Sequence, residues 1–151
     1  MKEFCLELVD LVENVSAVLI RIPDEDAAHR HAEGEWSKKE IVGHLVDSAA
    51  NNHQRFVRAQ QDKELVFPGY AQETWVQLQQ YNSCSWNNLV GLWRFYNLHL
   101  ADTVACIAED QLSTSCTIGD GEPVSLSFLI EDYLAHLKIH IRQLGLADPT
   151  R

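Results

Sequence analysis

Two histidines spaced four residues apart near the end of the chain are the residues best placed to do chemistry. His136 and His140 lie within the segment E-D-Y-L-A-H-L-K-I-H-I-R-Q-L, residues 131–144. In a helix this spacing puts both imidazoles on one face, at the edge of the apolar stripe, where a pocket can open. The carboxylate of Asp132, one turn earlier, can serve as a further ligand or can orient an imidazole. The spacing therefore indicates part of a metal site.

Length and composition indicate one globular domain, residues 1–151, with 46% hydrophobic residues to form its core. The formal net charge of −10 would repel a nucleic-acid backbone, and the paired basic residues Lys38 and Lys39 are expected to be solvated. Four widely spaced cysteines without a C-x-x-C motif indicate reduced thiols. Acidic residues interrupt each apolar run near the N-terminus, which argues against a signal sequence or a membrane span. We therefore expect a cytoplasmic protein.

Hydrophobic periodicity predicts four long helices, over residues 3–22, 37–61, 85–109 and 125–144. The sequence S-K-K-E, residues 37–40, is typical of a capping box at the start of the second helix. A Pro-Gly break precedes a short helix over residues 70–81, in which Trp75 and Leu78 are expected to face inward. Residues 110–124 indicate a turn or a short hairpin. Because no segment has convincing strand periodicity, the predicted fold class is all-α, a four-helix bundle with a short extra helix.

Polar residues beside the apolar faces mark candidate binding positions. On the second helix, Ser48, Asn51 and Arg55 form a row next to the core-facing stripe. On the third helix, Asn97 stands in the middle of the apolar face. It is either a core amide with satisfied hydrogen bonds or a residue aimed at a ligand. Trp93, one turn earlier, would line the same pocket.

Two segments of the chain resemble the DinB-like or YfiT-like superfamily. They are W-S-K-K-E-I-V-G-H-L, residues 36–45, and D-Y-L-A-H-L-K-I-H, residues 132–140. The resemblance implies an up-down-down-up four-helix bundle, in which one histidine of the second helix and two of the last hold a divalent metal ion. Those positions correspond to His44, His136 and His140. The resemblance also implies a homodimer, for which Trp75 is a candidate interface residue.

Three imidazoles from two facing helices leave at least one coordination position open for water or substrate. Such ligands suit zinc, nickel, copper or iron, and we expect zinc or nickel first. A bound divalent ion would generate a hydroxide nucleophile from water or would activate a thiolate. The superfamily includes inferred metal-dependent hydrolases, and also enzymes that use low-molecular-weight thiols such as bacillithiol or mycothiol for S-transfer or isomerisation.

The residues and the resemblance together predict a metal-dependent hydrolase or thiol-dependent transferase that acts on a small-molecule substrate. Asp132 is the first candidate for a catalytic carboxylate, ahead of Asp47 and Glu131. Asn51 and Arg55 are expected to bind a polar or anionic part of the substrate. The remaining candidate substrate-binding residues are Ser48, Trp93 and Asn97. The alternative prediction is a metal-binding bundle without turnover, acting as a stress-related binding or interaction protein.

Overall fold

In the computed structural model, which describes residues 1–146, four long helices surround one core. Residues 147–151, the end of the predicted domain, lie outside the described residues. The helices are α1 (Lys2–Leu19), α2 (Asp24–Ala28), α3 (Lys38–Arg58), α4 (Gln72–Gln79), α5 (Trp86–Ala105) and α6 (Leu126–Gln143). No helix within residues 1–146 combines the length and the apolar character that a membrane crossing requires.

The long helices follow the predicted up-down-down-up order. α3 packs against both α5 and α6, and α1 packs against the same two helices on the other side. α3 and α5 are parallel neighbours, so the connection between them must return along the whole bundle, and it contains α4. α6 runs antiparallel to α3. The last turns of α6 therefore lie beside the first turns of α3, where the candidate metal ligands are.

The start of α3 is fixed by its cap. The Ser37 hydroxyl accepts a hydrogen bond from the Glu40 backbone N–H at 3.2 Å, and the Glu40 carboxylate accepts one from the Ser37 N–H at 2.9 Å. The predicted capping box is thus confirmed. Because the cap sets where the helix begins, it also sets the direction in which each later side chain points.

A small three-stranded sheet is the main departure from the all-α prediction. β1 (Glu64–Phe67) pairs in parallel with β2 (Ser115–Ile118), which pairs antiparallel with β3 (Val124–Ser125). Of these strands only the hairpin between residues 110 and 124 was anticipated. Strands of four and two residues are too short for alternation to distinguish them from loops, and the partner of β1 lies far along the chain.

Two predictions about orientation were wrong. In α4 the buried residue is Val76, whereas Trp75 is 37% exposed and Leu78 is 76% exposed. Lys39, expected to be solvated, is buried, and its ammonium donates to the Asp24 carboxylate and to the Cys84 carbonyl, both at 2.7 Å. The lysine can be buried because both partners compensate for the lost hydration of its charge.

Candidate metal centre

Three histidine side chains converge where the first turns of α3 meet the last turns of α6. His44 comes from α3, and His136 and His140 come from α6, one turn apart. The Nε2 atom of His136 lies 3.4 Å from that of His44 and 3.1 Å from that of His140. In the described part of the chain these three residues form the group of potential ligands that can hold a metal ion. The structure therefore brings together the three residues that the family resemblance implied.

The geometry and chemistry of the three imidazoles fit a divalent ion. A tetrahedral ion with nitrogen ligands at 2.0–2.1 Å separates two of those nitrogens by about 3.4 Å. The two Nε2 separations, 3.4 and 3.1 Å, are close to this value. All three ligand atoms lie within 4.8 Å of one another. Nitrogen ligands suit zinc and nickel as well as copper and iron, so the metal's identity is not decided by the ligand set.

Burial keeps the inner imidazoles neutral. His44 is fully buried, and desolvation, followed by the charges of His140 and His136, lowers its pKa to about 4. Desolvation also lowers the pKa of His136, with a further contribution from His140. A neutral imidazole carries the lone pair that a metal ion needs, so neither ligand must lose a proton near pH 7.

The outer histidine is oriented by a residue that the sequence analysis did not single out. The Nδ1 atom of His140 lies 2.8 Å from the Gln143 side-chain oxygen. When Nδ1 donates to that oxygen, the Nε2 lone pair faces the other two histidines, as a metal ligand requires. The Nδ1 atoms of His44 and His136 are buried without a protein partner. The H-x-x-Q spacing, one helical turn, was the available signal for Gln143.

A cavity of about 550 Å³ opens beside His140. Gln143 also lines it, and Trp36 forms part of its wall with its ring centroid 5.2 Å from that of His44. The rest of the lining is largely polar and includes His31, Glu35, Gln72 and Glu73. His140 is thus reachable from outside through a cavity of the size that small-molecule sites have.

Asp132, the predicted catalytic carboxylate, is exposed on α6 one turn before His136. Its charge opposes the fall in the pKa of His136 that burial and His140 produce. Among residues 1–146 no hydrogen bond joins Asp132 to that imidazole, whose Nδ1 is without a protein partner. A role for Asp132 in catalysis stays a prediction.

The polar row predicted on α3 is present and largely buried. Ser48 and Asn51 are buried, and the Asn51 amide donates to the Asp47 carbonyl at 2.9 Å. Burial raises the pKa of Tyr70, and a hydrogen bond with Ser48 partly offsets that rise. These polar groups lie between α3 and the segment that precedes α4. Their part in substrate binding stays a prediction.

Arg55, at the end of this row, is a half-buried cation without a salt bridge in the described part of the chain. Its Nη1 donates to the Asn52 amide oxygen at 3.3 Å, and its buried Nε has no protein partner. Burial lowers its pKa, whereas the charges of Tyr70 and Asp132 favour the cation. A desolvated guanidinium with an unused donor is suited to bind an anion.

Trp93 and Asn97 lie inside the core, and their part in substrate binding stays a prediction. Both side chains are fully buried. The Asn97 amide donates to the Trp93 carbonyl at 2.8 Å, and its oxygen accepts from the Tyr133 hydroxyl. This is the environment of a core amide with satisfied hydrogen bonds, the first of the two interpretations of Asn97. The indole N–H of Trp93 is buried without a protein partner.

A buried network follows His44 along α3. Asp47 accepts hydrogen bonds from the Tyr81 hydroxyl at 2.6 Å and from the Gln79 amide at 2.7 Å through one oxygen, while its other oxygen has no protein partner. Burial raises the pKa of Asp47, and these two bonds partly offset the rise. The Tyr81 ring packs directly against Gly43, where a Cβ would lie 2.2 Å from it. A glycine inside a helix often marks such close packing, and that was the available signal.

Fold and site together define the class: a four-helix bundle with a three-histidine site that leaves room for a further ligand. The chain belongs to the DinB superfamily, whose family model matches residues 7–144.

Similar proteins agree with this membership. Two Oceanobacillus iheyensis proteins, whose names give metal-dependent hydrolysis as an inferred activity, are similar in sequence. One is 25% identical over 77% of this chain and 70% of its own length. The other is 26% identical over 54% of this chain and 48% of its own length.

Two solved structures share the fold. YfiT from Bacillus subtilis, described as a probable metal-dependent hydrolase with an unusual four-helix bundle topology, superposes with a TM-score of 0.81. It is 17% identical, over 97% of this chain and 88% of YfiT. A mycothiol-dependent maleylpyruvate isomerase superposes with a TM-score of 0.76 at 18% identity, over 96% of this chain and 61% of the isomerase chain. At these identities the structural likeness establishes the fold.

Proposed function

We propose that this protein is a metal-dependent hydrolase of a small-molecule substrate, with a divalent ion held by His44, His136 and His140. The observation that carries the proposal is the convergence of three Nε2 atoms, with separations of 3.4 and 3.1 Å, beside a cavity of about 550 Å³. The inferred activity in the names of the sequence relatives supports the same reaction class.

The ion would supply Lewis-acid chemistry, which polarises a substrate carbonyl and lowers the pKa of a coordinated water or thiol. The chain supplies the rest. His44 and His136 are held neutral by burial, and Gln143 orients the third imidazole. We assign Asp132 the transfer of a proton at the edge of the site, because it is the carboxylate whose charge acts on His136.

Substrate orientation is assigned to the polar row on α3. Arg55 has an unused buried Nε donor, which suits a carboxylate or another anionic group. Asn51 and Ser48 lie one and two turns closer to His44 on the same helix. A substrate with an anionic or strongly polar group remote from its reactive carbonyl would use both ends of this row.

The first part of the test is metal content. Protein purified without a histidine tag should contain about one equivalent of zinc or nickel by elemental analysis. His44→Ala should lose most of it, because two imidazoles hold a divalent ion far more weakly than three. His99→Ala, which removes an exposed histidine from α5, is the matched control and should keep the metal.

The second part is turnover, measured with esters, amides and thiol conjugates on the same three proteins. The fold shared with the mycothiol-dependent isomerase is the reason to include bacillithiol and mycothiol in the screen. Hydrolysis by wild type and the His99 variant but not by His44→Ala would support the proposal. Turnover only with a thiol would replace hydrolysis by thiol transfer. Metal binding without any turnover would favour the non-catalytic alternative.

A further inference from the structure

A second cavity, which we call the aromatic cleft, is lined by residues of α3, α5, β1, α4 and the segment that leads into α4. Its volume is about 370 Å³, and four of its walls are the rings of Phe67, Tyr70, Trp75 and Tyr96. The cavity beside His140 shares none of these residues and is lined instead by the first two residues of α4, Gln72 and Glu73. The aromatic cleft is therefore separate from the entrance to the histidines.

The walls of the aromatic cleft suit a flat ring. The rings of Tyr70 and Trp75 lie 5.0 Å apart at an angle of 54°, and Trp75 remains 37% exposed. A ring bound against these two contacting side chains would gain both apolar burial and favourable edge or offset contacts. A volume near the lower end of the range for ligand pockets limits the occupant to a group of about one or two rings.

The one charged residue among those that line the aromatic cleft is a cation. Arg58 lines the cleft, and its Nε donates to the uncharged Gln54 side chain at 2.9 Å. The guanidinium of Arg58 lies 6.0 Å from the centroid of the Phe67 ring, and that of Arg55 lies 5.6 Å from the same centroid. Neither arginine forms a salt bridge within the described part of the chain, and none of the residues lining the cleft is acidic.

This concentration of positive charge is unusual for the chain. The chain has 22 acidic and 12 basic residues, so two neighbouring arginines run against its overall charge. Two guanidiniums near one ring repel each other, and Arg55 also keeps a buried Nε without a protein partner. An anion bound in the aromatic cleft would relieve the repulsion and could accept hydrogen bonds from the Arg58 guanidinium.

We propose that the aromatic cleft binds an aromatic carboxylate, with the ring against the aromatic walls and the carboxylate on the Arg58 guanidinium. Arginine suits this ligand because its planar fork pairs with a carboxylate through two parallel hydrogen bonds. Asn51, which also lines the cleft, is seven residues after His44 on α3, roughly 10 Å along the helix. The aromatic cleft is thus placed to hold a part of the substrate remote from the reacting bond.

That role as a substrate subsite rests on the proposed function, but binding itself needs no turnover. The experiment therefore measures the affinity of the full chain for 2-naphthoate and for its neutral analogue 2-naphthamide, by titration calorimetry and saturation-transfer NMR. Both ligands are tested with the metal present and after its removal. The variants are Arg58→Gln and a matched control, Arg21→Gln, which removes an exposed arginine outside the cleft.

Wild type should bind 2-naphthoate about tenfold more tightly than 2-naphthamide. Arg58→Gln should remove that preference, with little change for the amide, and Arg21→Gln should leave both affinities unchanged. Trp75→Ala should weaken both ligands, because it removes a wall that each of them uses. Metal removal should have little effect.

Equal affinities of wild type for the two ligands would overturn the proposal. So would a preference that survives Arg58→Gln. Binding of 2-naphthoate that needs the metal would move the ligand to the histidines and also reject the cleft. Loss of turnover in His44→Ala is independent of these measurements, so failure of the cleft and failure of the proposed hydrolase can be told apart.

Discussion

Acidification should destabilise the metal-free protein through His44. Its pKa in the folded protein is about 4, below the ordinary value of 6.5, because the side chain is buried. Below about pH 6.5 the unfolded chain binds a proton at this imidazole, whereas the folded protein does not until the pH approaches 4. The unfolded state therefore binds more protons, and stability is lost as the pH falls through this window.

The difference between the pKa values of His44 in the folded and unfolded states determines how much stability is lost. Between about pH 7.5 and about pH 4.5, this one group should lower the free energy of unfolding by about 2.5 kcal/mol. Other groups titrate over the same range, and Asp47, whose pKa burial raises, acts in the opposite direction. The contribution of His44 must therefore be measured as a difference between two proteins.

The assay is urea unfolding of metal-free wild type and His44→Gln at several pH values, followed by circular dichroism. Relative to the variant, wild type should lose about 2 to 3 kcal/mol on acidification, since only wild type carries the buried imidazole. His99→Gln, which removes an exposed imidazole, serves as the control and should follow wild type. Parallel pH curves for wild type and His44→Gln would refute the reasoning, because the imidazole would then titrate alike in both states.

Three further predictions follow from the packing and the site. Gly43→Ala should destabilise the protein by about 1 to 3 kcal/mol in urea unfolding, because the new Cβ would lie 2.2 Å from the Tyr81 ring. The control is Gly91→Ala, also in a helix, where a Cβ would have nothing within 4 Å. It should stabilise the protein by about 0.5 to 1 kcal/mol. Equal changes in stability for the two variants would contradict the packing argument. Gln143→Ala should weaken zinc binding about 10- to 100-fold by calorimetry, while Gln143→Glu, which keeps an acceptor, should retain it. Asp132→Asn should lower turnover with full metal content, and unchanged turnover would reject its assignment.

The candidate metal site was the most predictable part of the molecule. A helical repeat of four places His136 and His140 together whatever the details of packing, and the capping box at Ser37 fixes the helix that carries His44. What the residues alone could not supply was the pairing of the two helices, which depends on contacts between distant parts of the chain. The resemblance to a known family supplied that pairing.

The parts that the sequence analysis missed depend on tertiary context. Trp75 and Leu78 have the composition of a core face, yet α4 contributes mainly Val76 to the core and leaves the other two exposed. The sequence around Lys39 is typical of a solvated surface lysine. In the folded protein its ammonium instead contacts Asp24 and the end of the α3–α5 connection. Local composition shows how apolar a residue is, but it does not show which residues from distant parts of the chain will contact it in the folded protein.

The small sheet has a consequence for insertions and deletions. β1 follows α3 and β3 continues directly into α6, so the strands fasten these helices at the end away from the imidazoles. About fourteen helical residues, roughly 20 Å, separate the end of α3 next to β1 from His44. A stretch of the same length separates the start of α6 next to β3 from His140. One residue added to or removed from either stretch would rotate its histidine by about 100° around the helix axis. A change in the turn at Gly119, between β2 and β3, would leave both stretches intact. The turn between β2 and β3 can therefore vary without displacing the three histidines, whereas the lengths of these two helical stretches cannot.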